Sequence, residues 1–382
     1  MGVANKLKDL AVKLERKNNS LFEYSLEKQR AYVAHFRKPK DDIERGYFQY
    51  RCQMKFNKPV ITFLLNIASL PMMLMYLKKA NSEIAKAEQA NAVFFSDGKP
   101  SNIIPDELRN KVGKIEIVNE KRGYLTAQDK TFVKKLWKRY PFSWHFLLKC
   151  LMKIRFYRYE IEMEHPESII VCNEYSFTCS VLTKYCEEQG IRHINVMHGE
   201  KLYFMRDSFF HFNECYVWDE HYKKIFKELR AEKTQFKVTI PPSLRIEKRS
   251  APKSIDYTYY LGAEREEILR IIVDVMETLR KSGNAVAIRP HPRYSDVGEI
   301  RRIAPDLEIE DVQELPIEDS LNRTAHAISV YSTVLNQASC NGIGVVLDDV
   351  SNPSKYARLK EIDYIMLSKE HELLSELLEI KR

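Results

Sequence analysis

The chain has no CxxC pair among its seven cysteines, no internal repeat and no low-complexity tract. An odd number of cysteines without paired spacing argues against both a zinc site and a disulfide framework, so reduced thiols in a protein core are expected. Residues 1–19 are charged and amphipathic and lack the apolar core of a secretory leader, which favours a cytoplasmic protein. At 382 residues, 44% apolar and 30% charged, the chain is long enough for two folded domains.

Long apolar runs are scarce, and the main one covers residues 60–77 between flanking lysines. Its length approaches that of a membrane span. However, it contains Asn66, Ser69 and Pro71, and a proline inside a helix removes a hydrogen bond and breaks or kinks the helix. The run therefore predicts a buried helix pair broken at Pro71.

Positive charge is concentrated in one segment. The net charge is +8, and residues 121–160 alone carry eleven Lys or Arg and two acidic residues, interleaved with aromatic side chains. Such a segment suits an anionic acceptor or the headgroups of an anionic membrane surface. Nucleic acid is not expected as a partner because no nucleic-acid-binding module accompanies the segment. The alternative is a solvated basic face over an aromatic core.

Three regions follow from the order of apolar patterns. Residues 1–90 are predicted to be mostly helical, with stretches such as 25–36 and 76–90. Residues 91–240 alternate between predicted strands and helices, as in an α/β domain with a parallel sheet, and include 121–160 as a basic aromatic insertion. Pro241-Pro242 and the charged run 247–253 predict a linker. The alternation then resumes over 241–382, with a last strand predicted at 364–367 and a final helix at 369–380.

Two motifs in this last region follow predicted buried strands. Arg289-Pro-His291-Pro-Arg293 follows the apolar run 285–288, and Tyr331-Ser332-Thr333 follows 327–330 and opens a predicted helix. Open α/β sheets place ligands at the carboxyl ends of their strands. Guanidinium groups and the N–H groups of a helix N-terminus both bind phosphate, so the two motifs predict a nucleotide phosphate pocket.

These motifs, together with Leu261-Gly262 after a strand and Gly342 before another, resemble the donor domain of GT-B glycosyltransferases. The resemblance is to the bacterial surface-polysaccharide branch: capsule sialyltransferases and polysialyltransferases, Kdo transferases and CDP-glycerol transferases, which share His-Pro and Ser-Ser or Ser-Thr motifs. It covers roughly residues 165–350. It implies a GT-B-like α/β fold: two Rossmann-like domains facing across a cleft, here with a helical N-terminal extension.

The resemblance also implies a set of donor-binding residues. The affinity of guanidinium groups and helix N-termini for phosphate supports the same set. They are Gly262, Arg289, His291, Arg293, Ser332, Thr333 and Gln337. Gln337 stands where many GT-B enzymes have a glutamate that often holds a ribose. The alternatives are purely structural roles: His291 as a turn residue between two prolines, and Ser332 and Thr333 as ordinary helix caps.

The catalytic base is expected in the N-terminal α/β domain. His198-Gly199-Glu200 follows a predicted strand, and its spacing to Trp218-Asp219 resembles the His-Gly segment of CDP-glycerol and Kdo-type transferases. A histidine can take the proton of an acceptor hydroxyl, with Glu200 orienting it or serving instead. Asp97, before Gly98, and Glu174, after Asn173, are further carboxylate candidates at strand ends. For both, a plain turn role is the alternative.

The predicted activity is that of an inverting, metal-independent glycosyltransferase of capsular or other bacterial surface polysaccharide synthesis. The expected donor is a CMP-activated acidic sugar, sialic acid or Kdo. The expected acceptor is an anionic glycan or a lipid-linked acceptor. No cofactor is expected beside the nucleotide-sugar donor, and Asp348-Asp349 lacks the DxD spacing of a metal site. The expected location is the cytoplasm, peripheral on the inner face of the membrane. The alternatives are a CDP-glycerol or polyol phosphotransferase of teichoic-acid type and a non-catalytic scaffold.

Overall fold

The computed structural model describes residues 24–78, 90–119, 123–247 and 253–380. The predicted helical stretch 76–90 lies mainly, and residues 1–19 lie wholly, outside these residues. The chain divides into two compact units, Met1–Pro242 and Ser243–Arg382. The helical region and the first α/β region of the sequence therefore belong to one unit.

The first unit contains a six-stranded sheet that is parallel throughout. Its strands are β1 Ala92–Phe95, β2 Ile115–Val118, β3 Ser168–Val171, β4 Arg192–Val196, β5 Glu214–Val217 and β6 Phe236–Val238. The strand order is β2-β1-β3-β4-β5-β6. The direction of winding reverses between β1 and β3, and a ligand crevice is expected at the carboxyl ends of these two strands.

Eight helices of the first unit are described. They are α1 Leu26–Ala34, α2 Asp42–Met54, α3 Pro59–Lys78, α4 Asp106–Val112, α5 Ala127–Arg139, α6 Trp144–Glu164, α7 Cys179–Glu187 and α8 Glu220–Glu228. The N-terminal extension is helical over its described part, and Val33 and Cys52 pack with Phe209 in a small core. This core fixes α1 and α2 to the loops that follow β4.

The second unit contains another parallel six-stranded sheet. Its strands are β7 Ile255–Tyr260, β8 Val286–Arg289, β9 Glu308–Ile309, β10 Thr324–Ser329, β11 Gly344–Leu347 and β12 Glu372–Leu373. The order β12-β11-β10-β7-β8-β9 is the Rossmann order, and its winding reverses between β7 and β10. The predicted α/β class with two Rossmann-like sheets is confirmed.

The described helices of the second unit are α9 Glu266–Lys281, α10 Val297–Ile303, α11 Ile317–Arg323, α12 Thr333–Cys340, α13 Pro353–Glu361 and α14 Leu374–Ile380. Helix α9 shows why these segments fold as they do. Leu269, Ile272, Val273 and Met276 recur at helical spacing and are buried against the sheet, while acidic residues begin the helix and basic residues end it.

Two predictions of local structure are wrong. Residues 60–77 form one continuous helix, α3, that contains Pro71 and is mostly exposed, rather than a buried pair broken at that proline. The segment predicted as a strand at 364–367 is a single 3-10 turn, Ile365–Ser368, and the last strand is β12. Tyr364, Ile365 and Met366 are all buried, so this apolar run fills the core without joining the sheet.

Candidate functional site

The two sheets bring the predicted residues to their carboxyl edges. In the first unit Asp97 follows β1, Glu174 follows β3, and His198 and Glu200 follow β4. In the second unit Gly262 follows β7, His291 and Arg293 follow β8, and Ser332 follows β10. We refer to the two sets of strand-end loops as the first edge and the second edge. They belong to different units and are described separately.

At the second edge, the turn after β8 holds His291 in a defined orientation. Its backbone N–H donates to Ser295 Oγ at 2.8 Å, and its Nδ1 accepts a hydrogen bond from the backbone N–H of Arg293 at 3.1 Å. The ring stacks on Tyr294 with the centroids 4.5 Å apart. Partial burial, together with the Arg293 guanidinium, lowers the pKa of His291. The neutral ring therefore carries its proton on Nε2, which is a donor suited to a phosphate oxygen.

The two arginines of this motif have different surroundings. Arg293 is exposed beside His291. Arg289 is buried, donates from Nη1 to Glu310 Oε2 at 2.9 Å, and donates from Nη2 to the carbonyl of Leu315 at 2.9 Å. Arg289 is thus paired within the protein, and its donor-binding role remains a prediction. As the last residue of β8, it neutralises a fully buried carboxylate next to β9, since an unpaired buried charge is costly.

The N-terminus of α12 lies at the point where the winding of the second sheet reverses. Ser332 has extended backbone angles, and its Oγ accepts a hydrogen bond from the N–H of Val334 at 3.2 Å. Thr333 is the first residue of the helix and is half-buried. Ser332 is thus a helix cap at a place where the helix dipole favours an anion, and the two roles are compatible.

Gln337 is bonded within the protein, and its place among the donor-binding residues remains a prediction. Its side chain is buried, and Nε2 donates to the carbonyl of Ser243 at 3.1 Å. One turn later, Asn341 donates to the carbonyl of Leu244 at 2.7 Å and accepts from the N–H of Ile246 at 2.9 Å. Helix α12 therefore uses these two amides to fix the segment that enters the second unit.

Two charged residues of the second edge were not anticipated from the sequence. Glu264 Oε2 accepts the backbone N–H of Gly262 at 2.6 Å. Burial raises the pKa of Glu264, and burial lowers the pKa of Lys355 in spite of their mutual attraction. The Lys355 ammonium lies 5.9 Å from the ring centroid of Tyr331. Glu264 lies two residues after Gly262, which is a weak sequence signal that its side chain belongs to this edge. The contact of Lys355 with Tyr331 depends on the placement of α13 and has no sequence signal.

Asp348, after β11, belongs to the protein core. It is fully buried and accepts hydrogen bonds from Tyr259 Oη at 2.5 Å and from the N–H groups of Val350 and Ser351 at 2.9 and 2.8 Å. These partners occupy both of its oxygens. Its carboxylate stabilises the loop after β11.

At the first edge, His198 has a buried nitrogen without a partner. Its Nδ1 makes no hydrogen bond within the described structure, and its ring centroid lies 6.1 Å from that of Tyr175. Burial, together with the positive charges of Lys201, Lys99 and Arg206, lowers the pKa of His198 to about 4, although Glu174 opposes the shift. His198 is therefore neutral at physiological pH and able to accept a proton. Its role as a base remains a prediction.

Glu174 is enclosed rather than presented to a substrate. It is fully buried, and its carboxylate is paired with Lys201 and accepts a hydrogen bond from Asn195 Nδ2 at 3.1 Å. Burial alone would raise its pKa, but Lys201 and His198 overcome that effect and lower it to about 2. The pairing with Lys201 keeps this carboxylate ionised, and the catalytic role of Glu174 remains a prediction.

Tyr175 is the centre of a cationic cluster that no sequence motif indicates. The Lys201 ammonium and the Arg206 guanidinium lie 5.8 and 5.4 Å from its ring centroid. Gln53 of α2 donates to the Tyr175 carbonyl at 2.5 Å, and Gln49 donates to the carbonyls of Glu174 and Arg206 at 2.8 and 3.1 Å. Helix α2 thus holds this edge in place through two amides. Lys201 directly follows His198-Gly-Glu, and this position in the sequence could have indicated that it lies at the first edge.

The two remaining carboxylate candidates lie at the same edge. Glu200 accepts a hydrogen bond from Tyr222 Oη of α8 at 2.6 Å, which positions it toward α8. Asp97 is exposed and has a left-handed backbone (φ 50°), followed by Gly98 at φ 75°. This is a tight turn after β1. Asp97 raises the pKa of Tyr175 as a secondary effect after burial and Glu174, so it lies within electrostatic reach of the cluster.

The basic aromatic segment is more structural than predicted. Phe132, Phe146 and Tyr157 are buried, and Arg158 forms a buried ion pair with Asp129 at 2.8 Å. Residues 121 and 122 lie outside the described residues. Helices α5 and α6 are therefore part of the first unit's core, and the solvent-facing charge of the segment comes mainly from lysines such as Lys134 and Lys138 on α5.

No protein-family model and no curated protein matches the chain. Similar solved structures include the UDP-GlcNAc 2-epimerase from Neisseria meningitidis bound to UDP-GlcNAc, with 13% identity, 71% of this chain and 85% of that chain covered, and a TM-score of 0.43. They also include the glycotransferase of kitacinnamycin, with 12% identity, coverage of 77% and 87%, and a TM-score of 0.45. The calicheamicin glycosyltransferase has 10% identity, coverage of 76% and 85%, and a TM-score of 0.41. These likenesses are too distant to assign an activity.

Proposed function

We propose that the protein is a nucleotide-sugar-dependent glycosyltransferase whose second unit binds the phosphate of the donor. One observation carries the proposal: His291, oriented with its proton on Nε2, the exposed Arg293 and the N-terminus of α12 occur at the carboxyl edge of a sheet in the Rossmann order. Such sheets bind nucleotides at this edge, and all three groups favour an anion.

The proposed reaction is an inverting transfer. The acceptor hydroxyl oxygen forms a bond to the anomeric carbon of the donor while the bond from that carbon to the phosphate oxygen breaks. The nucleotide leaves with the electron pair, and His291, Arg293 and the helix N-terminus stabilise its charge. Preorganised groups that stabilise developing charge are usually the largest catalytic contribution, and they serve here without a metal ion.

The hydroxyl proton is assigned to His198. The histidine is neutral at pH 7, and the carboxylate of Glu174 favours the imidazolium that forms. A pKa of about 4 makes the free protein's histidine a weak base. A bound anion near Lys201 and Arg206 would offset their positive field and raise that pKa.

For the donor, we propose a CMP-activated acidic sugar, sialic acid or Kdo, in the synthesis of a capsular or other bacterial surface polysaccharide at the cytoplasmic side of the membrane. The support is the resemblance carried by the His-Pro and Ser-Thr motifs. The His-Gly segment at 198–199 fits the Kdo-like and CDP-polyol branches, so a CDP-glycerol or polyol phosphotransferase is the alternative within this class. A scaffold without activity is the alternative outside it.

The first test is a thermal-shift series with CMP, CDP, UDP and GDP, with and without EDTA. A nucleotide at 100 times its Kd stabilises the native state by about 2.7 kcal/mol, which raises the melting temperature measurably. CMP is expected to give the largest shift, unchanged by EDTA. The absence of a shift with all four nucleotides would contradict the nucleotide pocket, and a shift with UDP alone would contradict the donor class.

The second test is transfer or hydrolysis of CMP-sialic acid, CMP-Kdo and CDP-glycerol. Turnover of a CMP-sugar supports the proposal, and turnover of CDP-glycerol alone supports the polyol alternative. Nucleotide binding without turnover of any donor supports the scaffold. The Arg293→Ala variant tests the pocket in the same assays, because it should keep the fold and lose nucleotide binding.

A further inference from the structure

Helix α3 concentrates the exposed apolar surface of the described residues. Fifteen large apolar side chains are exposed in these residues, and nine of them lie on α3: Val60, Ile61, Phe63, Leu64, Leu65, Ile67, Met72, Leu74 and Met75. Phe142, beside the helix, is the most exposed of the fifteen at 78%. Contiguous apolar patches of this kind on a folded protein mark an interaction surface.

A narrow strip of α3 attaches it to α6. Ser69 and Met73 are buried, Asn66 Nδ2 donates to the carbonyl of Phe142 at 2.7 Å, and Asn66 Oδ1 accepts the N–H of His145 at 3.1 Å. Ten residues further along both helices, the Arg155 guanidinium lies 4.8 Å from the ring centroid of Tyr76. The equal spacing of these two contacts means that α3 and α6 run side by side in the same direction.

The composition of α3 suits lipid, but its contacts argue against a membrane span. Pro59–Leu77 is long and apolar enough to cross a membrane, and only 11% of that stretch is buried in the protein. A core helix would be covered by protein. A spanning helix would have to leave the polar contacts that Asn66 and Arg155 make along its length, and unsatisfied polar groups are costly in hydrocarbon. A helix that lies in the plane of the membrane keeps these contacts and buries its apolar side.

The breadth of the exposed surface favours lipid over a second protein. Phe63, Leu64 and Leu65 are consecutive and all exposed, and three consecutive residues cover an arc of about 200° around a helix. A rigid protein face contacts one side of a helix, whereas fluid acyl chains conform to a wide, curved apolar surface. A second copy of the chain would leave much of this arc uncovered.

The charges around α3 match an anionic surface. Lys55 and Lys58 are exposed just before the helix begins, Lys78 and Lys79 follow in the sequence, and no acidic residue occurs from Gly46 to Ser82. Lysines near a membrane are attracted by anionic headgroups, and lysine stems extend to the headgroup level.

We propose that α3 and Phe142 form an in-plane membrane-docking surface that inserts among the acyl chains of a bilayer with anionic headgroups, while Lys58 contacts those headgroups. The surface takes only Phe142 from the basic segment 121–160, and it excludes the exposed lysines of α5 in that segment. The attachment holds the first unit against the lipid through the contacts between α3 and α6.

The test is co-sedimentation of the full chain with phosphatidylcholine vesicles containing 30% phosphatidylglycerol, and with pure phosphatidylcholine vesicles. The Phe63→Ser/Leu64→Ser variant is expected to lower the partition coefficient by roughly tenfold for each apolar side chain withdrawn from lipid. The matched control is Ile117→Ser/Ile271→Ser, which alters two exposed apolar residues elsewhere and should bind like wild type. Because all four side chains are exposed, circular-dichroism melting curves should be unchanged.

A second pair of variants separates the two basic regions. Lys58→Glu should weaken binding to the anionic vesicles several-fold, and Lys138→Glu on α5 should weaken it less. Equal sedimentation of wild type and the Phe63/Leu64 variant would overturn the proposal. So would a wild-type dimer that ignores vesicles and is dispersed by the same variant in size-exclusion chromatography. Resistance to alkaline carbonate extraction would overturn the in-plane geometry in favour of a span.

Discussion

The two sheet edges carry similar residue types, but their charged groups are partnered differently. At the first edge, Lys201 is paired with the buried Glu174, and Arg206 donates to Asp207 at 2.7 Å. At the second edge, His291 is held by its own turn and Arg293 is exposed. The first edge is largely satisfied within the protein, whereas the second offers hydrogen-bond donors to a ligand.

The difference indicates where each substitution should act. A change in a pair that the protein already satisfies leaves a buried charge uncompensated and alters the free energy of unfolding. A change in a group that awaits a ligand alters affinity and leaves the unliganded fold almost unaffected.

The Lys201→Met variant should lose about 3–5 kcal/mol in free energy of unfolding, because the fully buried carboxylate of Glu174 would lose the positive charge that compensates it. Urea denaturation at pH 7 measures this change. Since Lys201 helps to lower the pKa of Glu174 to about 2, the stabilisation is complete above the ordinary value of 4.5 and is lost as pH falls toward 2. The difference between variant and wild type should therefore shrink on acidification.

Arg293→Ala is the matched control at the second edge and should change the free energy of unfolding by no more than about 0.5 kcal/mol. Equal losses in the two variants would show that the second edge is as internally paired as the first. The contrast between the edges would then be wrong.

His198→Ala should lower the rate of sugar transfer by about 10²–10⁴-fold, as removal of a general base does. Donor binding should change little, because the proposed phosphate groups are in the second unit. In wild type the histidine is neutral above its pKa of about 4, so kcat/KM should fall as pH decreases through that value, and His198→Gln should lose this limb. A wild-type transfer rate in His198→Ala would leave Asp97 or Glu200 as the base.

His291→Ala should weaken nucleotide binding by about 10- to 100-fold, which is the usual effect of losing one hydrogen bond to a charged group. The melting temperature without ligand should match wild type. Titration calorimetry with the nucleotide chosen by the thermal-shift series measures the affinity. His371→Ala in the same unit is the control, and equal affinities for the two variants would exclude His291 from the pocket.

Ser332→Ala should lose about 1 kcal/mol in free energy of unfolding, because Ser332 Oγ caps α12 through the N–H of Val334. Ser332→Asn should restore most of this stability, since asparagine is an equally good cap. Thermal unfolding without nucleotide gives the comparison. A loss in nucleotide affinity that Ser332→Asn does not restore would show a ligand contact of the hydroxyl beyond its capping role.

Much of the second edge could be predicted because its signals are local. His291 and Ser332 directly follow apolar strands, and prolines or a helix cap fix the chain around them. In a parallel sheet the carboxyl ends of strands share one edge, so strand-end residues meet without further information. The same argument located His198 at the first edge.

The partners of Arg289 and Glu174 could not be predicted, for the same physical reason. Each lies at a strand end, where the sequence gives position along the sheet but not the partner of the side chain. Glu310 lies 21 residues from Arg289, and Lys201 lies 27 residues from Glu174. Both pairs form only when separate strand-end loops come together, and no spacing in the sequence indicates them.

The α/β class, most strands with their apolar runs, and the capping residues that begin helices such as α12 are predictable locally, because backbone preferences and apolar periodicity act over a few residues. The folded structure sets which charges are neutralised inside the protein, since a charge enters the core only with a partner. It also decided that α3 stays outside the core. The apolar sequence 60–77 is compatible with a core, a span or a docking helix, and only its contacts with α6 distinguish them.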